Sequence, residues 1–199
     1  MKLAAFTVLS FCLNFVSVST AHAFERNLHT VEKGKLYRSG QLSGSTLESV
    51  IKKHGIKTVI NLRGYNPTQD WFKAEEKVAN KTGTKLVSIS MNSKRLPHRE
   101  DLLTLLDTFA TAPRPILVHC EGGSDRTGEA AAIYQMLYMG KTKKDALKML
   151  TAKYLHFTWL KPAKSYFIKN VWQGEEWARE SYDPCSGGYE YYDVNNSAC

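Results

Sequence analysis

The residues best equipped for chemistry lie in one unbroken stretch, Ile116-Leu-Val-His119-Cys120-Glu121-Gly122-Gly123-Ser124-Asp125-Arg126-Thr127-Gly128. A cysteine is separated from an arginine by five residues, two of them glycine. Residues 116–119 follow Pro115 and read as a short core strand. Residues 127–140 carry Ala130, Ala131, Ile133, Tyr134, Leu137 and Tyr138 at helical spacing. Between strand and helix, Gly122 and Gly123 can adopt the positive φ angles that a tight loop of inward-pointing N–H groups demands. Such a loop cradles a tetrahedral dianion. The N–H groups of Glu121, Gly122, Gly123, Ser124, Asp125 and Arg126 would wrap one phosphate, with sulfur beneath phosphorus and the Arg126 guanidinium gripping two oxygens. The helix N-terminus behind the loop favours a bound anion and a thiolate over a thiol, so Cys120 is expected to be a nucleophile at neutral pH. Thr127 either caps that helix or donates to the sulfur, easing its departure in a second step.

His119-Cys120-Glu-Gly-Gly123-Ser-Asp-Arg126-Thr127-Gly128 resembles the signature His-Cys-x-x-Gly-x-x-Arg-Thr-Gly of the cysteine-dependent protein tyrosine and dual-specificity phosphatases. Leu36-Tyr-Arg38-Ser-Gly40-Gln, followed by Gly55-Ile-Lys-Thr-Val-Ile-Asn-Leu-Arg63, is also similar to plant and fungal atypical dual-specificity phosphatases and their bacterial relatives, periplasmic tyrosine phosphatases included. The resemblance runs from residue 35 to about residue 140 and implies a two-step phosphatase with a phosphocysteine intermediate, needing neither metal nor cofactor. In that reading Cys120 is the nucleophile, Arg126 binds the equatorial oxygens, and His119 orients the loop and favours the thiolate. Rhodanese-like sulfurtransferases and some arsenate reductases share a cysteine-loop-arginine arrangement, but His119 and Thr127-Gly128 resemble the phosphatases. A phosphate-binding module without turnover is the non-enzyme alternative.

The usual members of that family carry their general acid as an Asp two to three dozen residues before the cysteine. Here no Asp lies between Lys85 and Glu100, and Ser93-Lys94-Arg95 occupies the place. Asp125 stands where myotubularins, Sac-type lipid phosphatases and some bacterial phosphatases carry an acidic residue inside the loop. Beside a bound dianion such a carboxyl tends to hold a proton, and Asp125 is the expected acid. The alternative is that it accepts loop N–H bonds or pairs with a neighbouring cation. Asp70 lies on another loop, and Glu100 and Asp101 fit a helix start. Lys94 and Arg95, with Arg38 and Arg63, are candidate substrate-binding cations around the pocket. They favour phosphoinositides or inositol polyphosphates if they converge, whereas the family resemblance puts phosphotyrosine first, with phosphoserine and phosphothreonine after it. A phosphorylated protein or an inositol phosphate is the expected partner, and no nucleic acid.

These residues need a scaffold. The fold class expected is α/β, a single protein-tyrosine-phosphatase-like domain over residues 24–182 with a central, mostly parallel sheet of 4–5 strands flanked by helices. Strands are expected at residues 36–40 (an edge strand), 57–62, 85–90 and 116–119. Helices are expected from Ser43 or Ser45 to His54 with Gly55 as stop, and at 69–81, 100–111, 127–140, 143–154 and 162–182. His156, Phe157, Trp159 and Leu160 read as core packing. Residues 183–199 form a polar, aromatic tail without periodicity.

Met1-Lys2, an apolar run to Val18 and Ala21-His22-Ala23 have the layout of a cleaved signal peptide over residues 1–23. The mature chain, at a net charge of +7 against +8 for the whole sequence, is expected to be periplasmic or secreted, with no stable membrane anchor. Cys12 leaves with the leader and Cys120 is committed to chemistry. Cys185 and Cys199 remain, and a disulfide between them is expected in an oxidising compartment.

Overall fold

Five four-residue strands make the sheet: β1 (His29–Glu32), β2 (Leu36–Ser39), β3 (Thr58–Asn61), β4 (Lys85–Ser88) and β5 (Ile116–His119). The structure, a computed structural model, describes residues 26–185 and 188–192. The expected leader at 1–23 and Cys199 therefore lie outside the described residues. Strand order is β1-β2-β5-β3-β4, with β1 antiparallel to β2 and every other pairing parallel. The sheet divides the core in two, because successive strand side chains point to opposite faces. Tyr37, Val59 and Leu117 pack beneath helices α1 (Gly44–His54) and α2 (Asp70–Thr82). Leu36, Ile60, Ile116 and Val118 face α3 (Arg99–Thr111) and α4 (Asp125–Tyr138). With both faces covered, β2, β3 and β5 are buried along their whole length, which is why they read as runs rather than alternations.

Three expectations change. Residues 36–40 do not form the edge, because β1, whose sequence His-Thr-Val-Glu shows no strand alternation, covers them from outside. The helix expected at 143–154 is broken into α5 (Lys143–Ala146) and two 3₁₀ turns, Leu147–Met149 and Ala152–Tyr154. Here tertiary contact overrides local propensity. Gly128 of α4 lets Leu150 and Met149 press against its backbone so closely that a Cβ would lie 2.6 Å from Leu150 Cδ2. The helix expected at 162–182 is α6 (Pro162–Tyr166), a π-helical turn over Phe167–Val171 and α7 (Glu175–Glu180), separated where Trp172 turns to an extended conformation. The described part of the tail has no helix or strand, yet it is docked: Leu96 N donates to Tyr191 O at 2.9 Å and Tyr189 packs on the core. Cys185 is disulfide-bonded.

A buried ion pair fastens this half of the molecule. Lys164 Nζ lies 2.9 Å from Glu129 Oε2, both side chains fully buried, and donates also to Arg95 O at 2.7 Å. Burial pushes the Glu129 carboxyl up to about 7 even with Lys164 beside it. Lys164→Met leaves that carboxyl buried without its cation and should destabilise the fold by about 3–5 kcal/mol, whereas Glu129→Leu/Lys164→Met should recover most of the loss. Denaturant midpoints test this. A loss for Lys164→Met no larger than for the exposed Lys169→Met would contradict it.

Candidate active site

Cys120 follows β5, the middle strand of the sheet, and the parallel register aligns Ser39, Asn61 and His119 at one level. The chain leaving all three strand ends therefore converges at their C-terminal edge, where open α/β sheets bind ligands. Cys120 is buried, and its thiol is free.

The loop after Cys120 is held by its carbonyls from outside. Gln41 N donates to Glu121 O at 2.9 Å, Asn27 Nδ2 to Gly122 O at 3.2 Å, Arg38 Nη2 to Gly123 O at 2.6 Å, and Gly128 N to Ser124 O at 3.0 Å. Since a peptide's N–H opposes its C=O, the N–H groups of this loop turn the other way. Among the described residues none of the N–H groups of residues 121–126 has a hydrogen-bond acceptor. Gly123 makes the turn possible, with φ +72° and a position where a Cβ would lie 2.4 Å from Gly40 N.

Arg126 is anchored by the chain leaving two other strands. Its Nη1 donates to Leu62 O at 3.0 Å and Met91 O at 3.3 Å, while its buried Nε has no partner. One edge of the guanidinium is thus anchored by β3 and β4 connections, and the other is left for an anion. The helix starts at Asp125, two residues before its expected start, and Ser124 makes no side-chain cap. Thr127 neither caps it nor bonds the sulfur: its buried hydroxyl makes one long contact, 3.5 Å to Ser39 O. His119 Nε2 lies 2.6 Å from Glu75 Oε1 and its Nδ1 3.3 Å from Cys120 O, and Gln41 Nε2 donates to Glu75 Oε2 at 3.3 Å. This buried bridge locks the loop entrance to α2. Glu75 carried a signal in the sequence, a carboxylate in the apolar phase of Phe72, Val78 and Ala79.

Asp125 does not stand alone. Its Oδ1 is 2.7 Å from Nδ1 of His156, whose Nε2 is 3.0 Å from Ser165 Oγ. His156 is buried, as expected, but at the site rather than in apolar packing, while Trp159 and Leu160 are exposed. Asp70 is fully exposed beside Lys73. Asp101 is half-buried, accepts Ser90 N at 3.2 Å, and is pushed up by burial.

The four candidate substrate-binding cations divide. Arg38 is fully buried under the loop, donating to Met149 O at 2.8 Å and to Gly123 O, with its guanidinium 4.1 Å from the Tyr154 ring centre. Burial lowers it only to about 10, so it remains a cation that shapes the loop and cannot reach a substrate. Arg63 is part-buried, bonded to Gln41 Oε1 at 2.9 Å and stacked 3.6 Å from the Trp71 ring centre, where burial lowers its pKa and it interacts with Glu121, Arg126 and Cys120. Lys94 and Arg95 are exposed on the loop between β4 and α3, which Lys161 and Lys164 tie to α6 and its approach.

Residues 9–166 match the family model described as a DSP-PTPase phosphatase fused to NAD+ kinase. No curated protein matches significantly. Among solved structures, the chain is similar to TpbA of P. aeruginosa, at 22% identity and a TM-score of 0.58 over 71% of this chain and 83% of that one. It is likewise similar to the core catalytic domain of the PP-IP phosphatase SIW14 of S. cerevisiae, at 20% identity and a TM-score of 0.63 over 77% of this chain and 89% of that one.

Proposed function

This chain belongs to the DSP-PTPase family of cysteine-dependent phosphatases, and from that premise we propose that it is an exported enzyme hydrolysing phosphate monoesters, phosphotyrosine first, through a phosphocysteine intermediate. The observation that carries the reading is the loop itself, with the carbonyls of residues 121–124 all bonded and its N–H groups without acceptors, beside an Arg126 whose buried Nε has no partner. Such fixed donors stabilise charge on equatorial oxygens without reorganising during the reaction. In the first step the Cys120 sulfur attacks phosphorus in line, the P–O bond to the leaving group breaks, and Asp125 gives that oxygen its proton. In the second, water attacks the phosphocysteine, Asp125 takes the proton back, and the S–P bond breaks to release phosphate and thiolate. His156, through Oδ1, fixes the Asp125 rotamer and leaves Oδ2 for the reacting oxygen.

TpbA of P. aeruginosa has been solved in complex with pTyr, and SIW14 of S. cerevisiae is a PP-IP phosphatase, so both kinds of substrate occur on this fold. The second class gains support here from Arg63, part-exposed beside the loop, and from Lys94 and Arg95 on the neighbouring wall. A phosphate-release panel over phosphotyrosine peptide, phosphothreonine peptide, phosphoinositide and inositol polyphosphate distinguishes them. The highest kcat/KM is expected on phosphotyrosine; preference for an inositol polyphosphate that Arg63→Ala selectively removes would establish the second reading. Export rests on residues 1–23, and sequencing the N-terminus of the exported protein should find Phe24.

A further inference from the structure

We propose that the loop at residues 155–161 docks the protein onto the surface of an anionic lipid bilayer. Five large hydrophobic side chains are exposed among the described residues. Three of them fall within this loop, Leu155 at 58%, Trp159 at 77% and Leu160 at 64%. Phe157, half-buried, supports Trp159 with ring centres 5.0 Å apart. The loop is pinned rather than loose. His156 is bonded to Asp125 and Ser165, and Asn27 Nδ2 bridges Tyr154 O, at 2.8 Å, to Gly122 O. A backbone held so firmly presents its apolar side chains outward by construction, immediately beside the catalytic loop.

The charges carried by the two segments around it are positive. Residues 146–174 contain five lysines and no Asp or Glu, and residues 77–99 contain four lysines, two arginines and no Asp or Glu. The two segments meet where Lys161 Nζ approaches Ser93 Oγ at 3.3 Å and Lys164 Nζ bonds Arg95 O. Lys94 and Arg95 are exposed there, and Lys153 is exposed at the other end of the loop, over the Tyr154 ring. Of the acids on neighbouring elements, Asp125 is engaged by His156, Glu129 by Lys164 and Asp145 by Lys148, Glu121 faces Arg63, and Glu190 of the docked tail lies beside Tyr166 and Tyr191. Tryptophan and leucine side chains rimmed by cations suit the interfacial zone of an anionic membrane, where the ring sits at headgroup level and lysines meet the surface charge. Exposures this high describe side chains that project singly from the surface. A bilayer accepts such wedges without shape matching, whereas a protein partner needs a broad complementary patch.

Co-sedimentation of the mature full-length protein with vesicles tests the proposal independently of turnover, so its failure leaves the phosphatase reading untouched. Vesicles of phosphatidylcholine containing phosphatidylserine should bind it about tenfold or more tighter than phosphatidylcholine alone. Trp159→Ser/Leu160→Ser should weaken that binding by a similar factor while leaving hydrolysis of a soluble aryl phosphate unchanged. Lys153→Glu/Lys161→Glu, a second variant that retains the apolar side chains, should weaken it and flatten its salt dependence. Absence of binding, equal binding to both vesicle types, undiminished binding by the serine variant, or capture of an acidic protein at this patch without vesicle binding would each overturn the proposal.

Discussion

Cys120→Ser is expected to abolish turnover while leaving phosphate binding intact. The hydroxyl is far less acidic than the thiol it replaces and cannot attack at neutral pH. The groups that bind the dianion are elsewhere: backbone N–H groups turned inward by bonds to Gln41, Asn27, Arg38 and Gly128, and the unpartnered Nε of Arg126. None of them is supplied by the side chain at position 120. The expected result is loss of kcat by several orders of magnitude, about as large as removing the nucleophile costs in other covalent hydrolases, with stabilisation by added phosphate retained in a thermal-shift assay. Residual hydrolysis above about a tenth of wild type would remove Cys120 from the role of nucleophile.

Asp125→Asn should give the second-largest effect, and one that depends on the leaving group. A general acid is worth about 10²–10⁴-fold when the leaving oxygen is a poor one. It matters much less when that oxygen carries its charge well, as in an activated aryl phosphate. The variant should therefore depress hydrolysis of a tyrosyl or alkyl phosphate far more than that of the activated ester, and should lose the basic limb of the pH profile. His156→Ala, which frees the Asp125 rotamer, should reproduce part of this pattern, and His156→Asn, which keeps a donor near Nδ1, less of it. Asp101→Asn is the discriminating control, since its carboxyl is raised by burial and is held against the Ser90 backbone near the Met91 carbonyl that anchors Arg126. If Asp101→Asn alone carries the leaving-group dependence, the acid comes from the start of α3 and Asp125 only shapes the loop.

What the sequence revealed was what is local in it. Residues 116–128 contain strand, turn and helix in one run, and their spacing is itself the geometry of the cradle, so the site's centre was legible. The loop's scaffold was not. His156 meets Asp125 across 31 positions, in a run of Phe, Trp and Leu where no periodicity separates a buried partner from packing. Arg38 lies 85 positions from the carbonyl it holds, and a charged residue in a sequence announces its charge but not its depth. The edge strand was misplaced for a similar reason: the polar β1 is a strand because β2 offers it a ladder, and no apolar phase marks it. The break after Ala146 comes with packing against α4, where contact overrides helix propensity, and the helix resumes only after Gly174, whose φ of +122° no helix accommodates.

The most direct test is to catch the covalent intermediate. Wild-type protein mixed with a fast-leaving aryl phosphate and quenched in acid within the first turnover should carry one phosphoryl group, and peptide mapping should find it on Cys120, accompanied by a burst of phenol matched to the enzyme concentration. A phosphoryl group on His119 or Asp125, or turnover with no burst and no protein-bound phosphate, would contradict the account.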